Sequence, residues 1–157
     1  MVKTDILVIG SGLAGMRAAM AARETDPEAD ITLLTPSSEP CGSSFANIHN
    51  QLGMQVCLNE NEKRTFIEEA IAIAPPGVID TELVRILVEE SLGAFKYLQS
   101  LGASVMMDST GHPVRVKGCF SPVQPRAYIL TDMHRFYYRL LRVLEHREIR
   151  LMVGYEV

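Results

Sequence analysis

The sequence predicts an α/β fold, a parallel sheet that opens with a βαβ unit and carries a helical insertion. Three observations carry that prediction. The apolar, β-branched run Ile6-Leu7-Val8-Ile9 leads into a glycine-rich turn, then into an alanine- and methionine-rich stretch with no breaker before Pro27. A second apolar run, "ITLLT", follows and stops at Pro36. Near the other end, a long amphipathic pattern leads into "EIRLMV", a third strand. Two buried strands joined by a helix of this length form a βαβ unit, whose crossover is almost always right-handed.

Each element has its own justification. Ile6 to Ile9 is apolar on both faces, which predicts a fully buried parallel strand. Leu13 to about Thr25 reads as a helix whose Ala14, Ala18, Ala19, Ala21 and Ala22 let its backbone approach the sheet. Ser37 to Leu58 is polar and aperiodic, and a loop of that length is uncommon in a compact domain unless it binds something. Two helices follow. The first spans about Asn61 to Ala74 and stops at Pro75-Pro76-Gly77. The second has Asp80 as N-cap, Glu82 at the positive end of the dipole and Gly102 just past its end. Leu83, Leu87, Ala94 and Leu98 give that helix an apolar stripe.

Ser104 to Val123 reads as short strands and turns, with "STGHP" as a turn. In "ILTDMHRFYYRLLRVLEHRE", Met133, Phe136, Tyr137, Leu140, Leu141 and Leu144 recur at helical spacing. Arg135, Arg139 and Arg142 occupy the opposite, solvated face. "EIRLMVGYEV" is then a third parallel strand, expected to lie inside a sheet, and the chain is expected to be part of a longer protein.

Composition bounds the function. A chain of 157 residues fits one domain, and 47% apolar with 22% charged residues is ordinary for a globular chain. A net charge of −4 argues against general attraction to nucleic acid. Cys41, Cys57 and Cys119 are odd in number and widely spaced, which disfavours a disulfide framework, a zinc site or an iron–sulfur cluster within the chain. No apolar run approaches the roughly 20 residues of a membrane span. The first strand begins too early for a signal peptide. A cytoplasmic protein without direct membrane insertion and without a metal site is expected.

Gly10-Ser11-Gly12-Leu13-Ala14-Gly15 is the motif with chemistry in it. In a Rossmann-like fold the first glycine makes the tight turn, the second admits a pyrophosphate, and the third lets helix and strand pack closely. The helix N-terminus adds unpaired N–H groups and about half a positive charge. The bland alternative is a packing turn with no ligand. An acidic residue usually ends the second strand to hold a ribose hydroxyl, whereas this chain has Thr35 there, and Glu39 lies four residues further on.

The sequence resembles the N-terminal part of the fumarate reductase, succinate dehydrogenase and L-aspartate oxidase flavoprotein family. The residues that carry the resemblance are "DILVIGSGLAG", "ITLLTPSSEPCGSSFA", "GVIDTELVRILVEESLGAFKYLQSLGA" and "LTDMHRFYYRLLRVLEHREIRLMVGYEV". The resemblance implies a Rossmann-like FAD-binding fold, with 1–157 as the N-terminal portion of the FAD domain and the capping domain and the rest of the FAD domain absent. It implies non-covalent FAD, because Ser43 stands where covalently flavinylated members have histidine. By position, Gly10, Ser11, Gly12, Leu13, Ala14 and Gly15 would meet the pyrophosphate, and Thr35 and Pro36 the adenosine ribose. Ser43 and Ser44 would run beside the flavin, and Glu156 and Val157 would reach the adenine through their backbone.

The sequence departs from the family at two places. Family members usually carry Gly-Gly beside the isoalloxazine ring, where this chain has His49 and Asn50, unless the register slips toward Gly53. The last helix begins Thr131-Asp132 rather than Thr-Gly. His49 is the one catalytic candidate, although a loop histidine without a partner is ordinarily surface. Arg126 could meet a phosphate or carboxylate, with a solvated arginine as the plainer reading. The functional expectation is an FAD-dependent oxidoreductase of a small carboxylic acid, of the succinate/fumarate or amino-acid type. An iron–sulfur electron-transfer subunit is a partner the resemblance implies, and the catalytic acid and base are expected beyond Val157. The alternative is a non-catalytic nucleotide-binding or subunit-docking module with the same fold.

Overall fold

The computed structural model describes residues 3–75, 77–118 and 121–155. The chain runs β1 (Ile6–Ile9), α1 (Leu13–Thr25), β2 (Ile31–Thr35), β3 (Gln51–Gln55), α2 (Glu60–Ile73), α3 (Thr81–Ser100), β4 (Ser104–Val105), β5 (Arg115–Gly118), β6 (Ser121–Thr131), α4 (Met133–His146) and β7 (Arg150–Val153). It divides into two compact units, Met1–Gln51 with Asp132–Val157, and Leu52–Thr131.

The first unit is the α/β part. Its parallel sheet has the order β1-β2-β7, so β2 is central and all of its residues are buried. Val8 pairs with Leu33, and Leu33 with Leu151. α1 and α4 pack on each other and on the sheet, which places both on one face. α1 turns Met16, Ala19 and Met20 inward, whereas Ala14 and Ala18, expected to lie against the sheet, are exposed. α4 turns Met133, Phe136, Tyr137, Leu140 and Leu144 inward, as their spacing predicts.

Full burial of β1 does not hold. Leu7 and Ile9 are 51% and 60% exposed. β1 is an edge strand, and alternate side chains point to opposite faces of a sheet. Val8 faces α1, so Leu7 and Ile9 point to the face that neither helix of this unit covers. β7, expected inside a sheet, forms the other edge of this three-stranded one.

The second unit is antiparallel sheet with two helices. β6 lies between β3 and β4 and also pairs with β5. β3 falls within the stretch expected to be loop. Its strand period rests on only Leu52 and Met54, set among Gln and Gly, which is too little to read. β6 runs on through Ile129 to Thr131, so the last helix starts at Met133.

The stripe predicted for α3 is not the face it buries. Leu83 and Leu87 are 63% and 61% exposed, whereas Val88, Ser91 and Phe95 are buried. Ser91 hid that face in the sequence, because its hydroxyl sits in the core and accepts from the Cys57 amide at 3.1 Å. Phe95 stacks on Tyr128 with centroids 4.5 Å apart. Arg126 is likewise no surface residue. It is wholly buried, pairs with Glu69 and Ser121, and lies over the Phe66 ring at 4.9 Å.

Candidate functional site

The site is built where β1 ends. Gly10 takes φ +98°, a left-handed conformation that glycine alone adopts freely, and its amide donates to Leu34 O at 2.7 Å. Gly15 is required for a different reason. A Cβ there would lie 1.9 Å from Gly10 O, so α1 can approach the strand only with a bare α-carbon.

Gly12 needs neither excuse. Its φ of −63° and ψ of 169° suit any residue, and a Cβ would make one ordinary contact, 3.9 Å from Gly42 Cα. It is nevertheless the N-cap of α1, and no side chain caps that helix. The first backbone bond of α1 runs from Met16 N to Gly12 O at 3.0 Å, which leaves the preceding amides to point off the helix end. α2 and α3 are finished otherwise. Asn59 accepts from Glu62 N at 2.9 Å, and Asp80 from Glu82 N at 2.9 Å. α1 also has no acidic residue in its first turn. A helix terminus left in this state can receive an anion from outside the helix.

The other expected site residues are distributed around that turn. Leu13 and Gly15 are half-buried and Ala14 is exposed. Ser11 is fully buried, and its hydroxyl points inward to Thr35 Oγ1 (2.8 Å), Cys41 Sγ (2.9 Å) and Tyr137 Oη (3.1 Å). Thr35 is buried as well, and its hydroxyl donates to Ser37 O at 3.2 Å. Both side chains therefore brace the turn from inside. Pro36, directly after β2, is exposed.

The segment after β2 returns over the glycine turn, with Gly42 at φ +77° against Gly12. Phe45 anchors it, fully buried with its ring 5.1 Å from that of Tyr137. Ser43 is exposed and Ser44 half-buried, and their carbonyls accept from Asn47 Nδ2 at 3.5 and 3.3 Å. Asn50, expected beside the flavin, has a structural task. At φ +51° it accepts from His134 N through Oδ1 at 2.8 Å and from Met133 N through its carbonyl at 3.3 Å, capping α4. His49 is exposed, with no hydrogen bond or ion pair among the described residues. Gly53, the alternative register, lies in β3 with room for a Cβ, 3.8 Å from Ile129 Cδ1. Glu156 and Val157 lie outside the described residues.

Glu39 is held by α4. Its carboxylate accepts from Tyr138 Oη at 2.6 Å, and that bond pushes the Tyr138 phenol above its ordinary value. Among the described residues, no group of acidic, histidine and cysteine side chains could hold a metal ion. No described helix is long and apolar enough to cross a membrane.

A family model described as FAD binding domain matches residues 5–153. The chain belongs to this family. It is homologous to the N-terminal region of the fumarate reductase, succinate dehydrogenase and L-aspartate oxidase flavoproteins. This FAD binding domain is 33% identical over 108 residues to an L-aspartate oxidase of Clostridium perfringens, covering 68% of the chain and 23% of that protein. It is 28% identical over 109 residues to the 8-methylmenaquinol:fumarate reductase flavoprotein subunit of Wolinella succinogenes, covering 68% of the chain and 17% of that protein. A solved quinol fumarate reductase from E. coli shares the fold, with TM-score 0.72 and 19% identity over 96% of this chain and 26% of that one. The chain thus spans less than a quarter of the length of the curated relatives it matches.

The sequence identified the glycine turn and missed what supports it. Tyr137 was legible only as a core position of an amphipathic helix, and Cys41 only as an isolated thiol. Gly42 gave a signal, a glycine in a polar stretch, but nothing local says that it faces Gly12.

Proposed function

We propose that the chain is the FAD-binding segment of a longer flavin-dependent oxidoreductase that acts on a small carboxylic acid. Gly12 carries this reading. Neither backbone conformation nor packing demands glycine there. What a bare α-carbon provides is room for a ligand against the uncapped amides of α1.

The proposed roles combine the geometry of the glycine turn with the positions that the family resemblance implies. The amides of Gly12, Leu13 and Ala14 receive the diphosphate, with Gly10 and Gly15 setting the turn and Ser11 and Thr35 holding it from within. Pro36 lies toward the ribose, and Ser43 and Ser44 lie along the flavin path. Asn50 fixes the end of that segment on α4, and His49 is the titratable group it leaves in solvent. FAD supplies hydride chemistry at its isoalloxazine when bound. Ser43 in place of histidine supports non-covalent attachment. The acid and base of the reaction, and contact with an iron–sulfur subunit, are assigned to the rest of the parent protein. The carboxylic acid class rests on the names of the L-aspartate oxidase and fumarate reductase relatives. Free thiols at Cys41 and Cys57 suit a reducing, cytoplasmic setting.

Titrating the chain with FAD tests this reading. Flavin fluorescence should be quenched with weak affinity, ADP should compete, and the complex should not survive gel filtration, because a partly built site is poorly pre-organised. Unchanged fluorescence throughout the titration would overturn the reading.

A further inference from the structure

The Ser11 hydroxyl has three partners, and its protons can be counted. Thr35 spends its single O–H on Ser37 O, so Ser11 must donate to Thr35. The two lone pairs of Ser11 then accept from Tyr137 O–H at 3.1 Å and Cys41 S–H at 2.9 Å. Ser11, Thr35 and Tyr137 are each no more than 1% exposed, whereas Cys41 is half-buried. Each O–H and S–H of this knot has an acceptor, and Cys41 Sγ also lies 3.9 Å from Thr35 Oγ1. Burial raises the Tyr137 phenol above its ordinary value, so it stays a donor at neutral pH.

The knot joins four pieces of the first unit: the glycine turn, the end of β2, the segment after it, and α4. An unpaired hydroxyl in so buried a place is costly, so the turn cannot shift without breaking bonds. We propose that Tyr137 and Cys41 are positioning residues of the cofactor site, whose donated hydrogen bonds to Ser11 hold the glycine turn in the shape that receives a diphosphate. Neither touches the cofactor. The inference rests on the FAD reading above and extends it to residues outside the motif.

The experiment is an FAD fluorescence titration of the full chain and of Tyr137→Phe, Cys41→Ala and Cys41→Ser, with thermal unfolding of each without FAD. Tyr137→Phe keeps the ring against Phe45 and loses one donor. It should bind FAD about fivefold to tenfold more weakly, the size expected from one buried hydrogen bond. Cys41→Ala should weaken binding similarly, and Cys41→Ser, which restores a donor, should bind like the parent chain. Rescue by serine separates positioning from simple loss of packing, because alanine and serine differ little in volume. If Tyr137→Phe does not fold, the Cys41 pair alone decides. Equal affinity of Cys41→Ala and Cys41→Ser, or undiminished affinity in a folded Tyr137→Phe, would overturn the proposal. Absence of binding by the parent chain would instead overturn the FAD reading.

Discussion

A Cβ on Gly15 would lie 1.9 Å from the carbonyl oxygen of Gly10, two glycines of one motif that need glycine for different reasons. At Gly10 the backbone is left-handed but the space around a Cβ is open. Gly15→Ala must push α1 off the strand, and is expected to cost about 3 kcal/mol in denaturant unfolding. Gly10→Ala meets only backbone strain, about 1–2 kcal/mol. The reverse order would contradict this division of labour.

Asn50 caps α4 from a distant part of the sequence. Asn50→Gly removes the side-chain bond to His134 N but keeps a residue at ease at φ +51°, so about 1 kcal/mol of stability, the net worth of one hydrogen bond, should be lost. Asn50→Ala adds left-handed strain and should lose about 2 kcal/mol. Equal stability of both variants and the parent chain would show that the cap contributes nothing.

Much of the fold is legible in the sequence, because the first unit follows local rules. Buried strands read as apolar runs, and α4 keeps one strict apolar stripe from Met133 to Leu144. What failed depends on tertiary context. Exposure of Leu7 and Ile9 follows from β1 being an edge strand, which no local pattern states. Ser91 in the core of α3 and Arg126 buried against Glu69 and Phe66 are polar residues held by partners distant in the sequence. The glycine motif was visible because its geometry is local, and its Ser11 brace was not, because Tyr137 lies 126 residues away.

Arg126→Met tests the buried pair. Glu69 would lose its partner while its side chain is only 25% exposed, which should cost about 3 kcal/mol in unfolding free energy. Adding Glu69→Leu should recover more than half of that loss. A double variant no better than the single one would assign the cost to the Phe66 contact instead.

Acid should weaken the second unit through Glu62. Arg115 holds this carboxylate with two hydrogen bonds, 3.0 and 2.7 Å, and keeps its pKa below the ordinary 4.5. A carboxyl with a lower pKa in the folded chain binds protons more weakly there. Its stabilisation is complete above the unfolded value and fades as pH falls through the folded one. Unfolding free energy followed from pH 7 downward should therefore drop less steeply in Glu62→Gln than in the parent chain. Identical acid limbs would show that the pair adds nothing to stability.

Gly12→Ala offers the most direct measurement. Its Cβ would sit 3.9 Å from Gly42 Cα, so unfolding should change by no more than about 1 kcal/mol. The same methyl group would stand where a diphosphate must approach the α1 amides. Parallel FAD titrations of the two chains should show binding by the parent and at least about tenfold weaker binding by the variant. Equal affinity would mean that the turn does not receive the diphosphate.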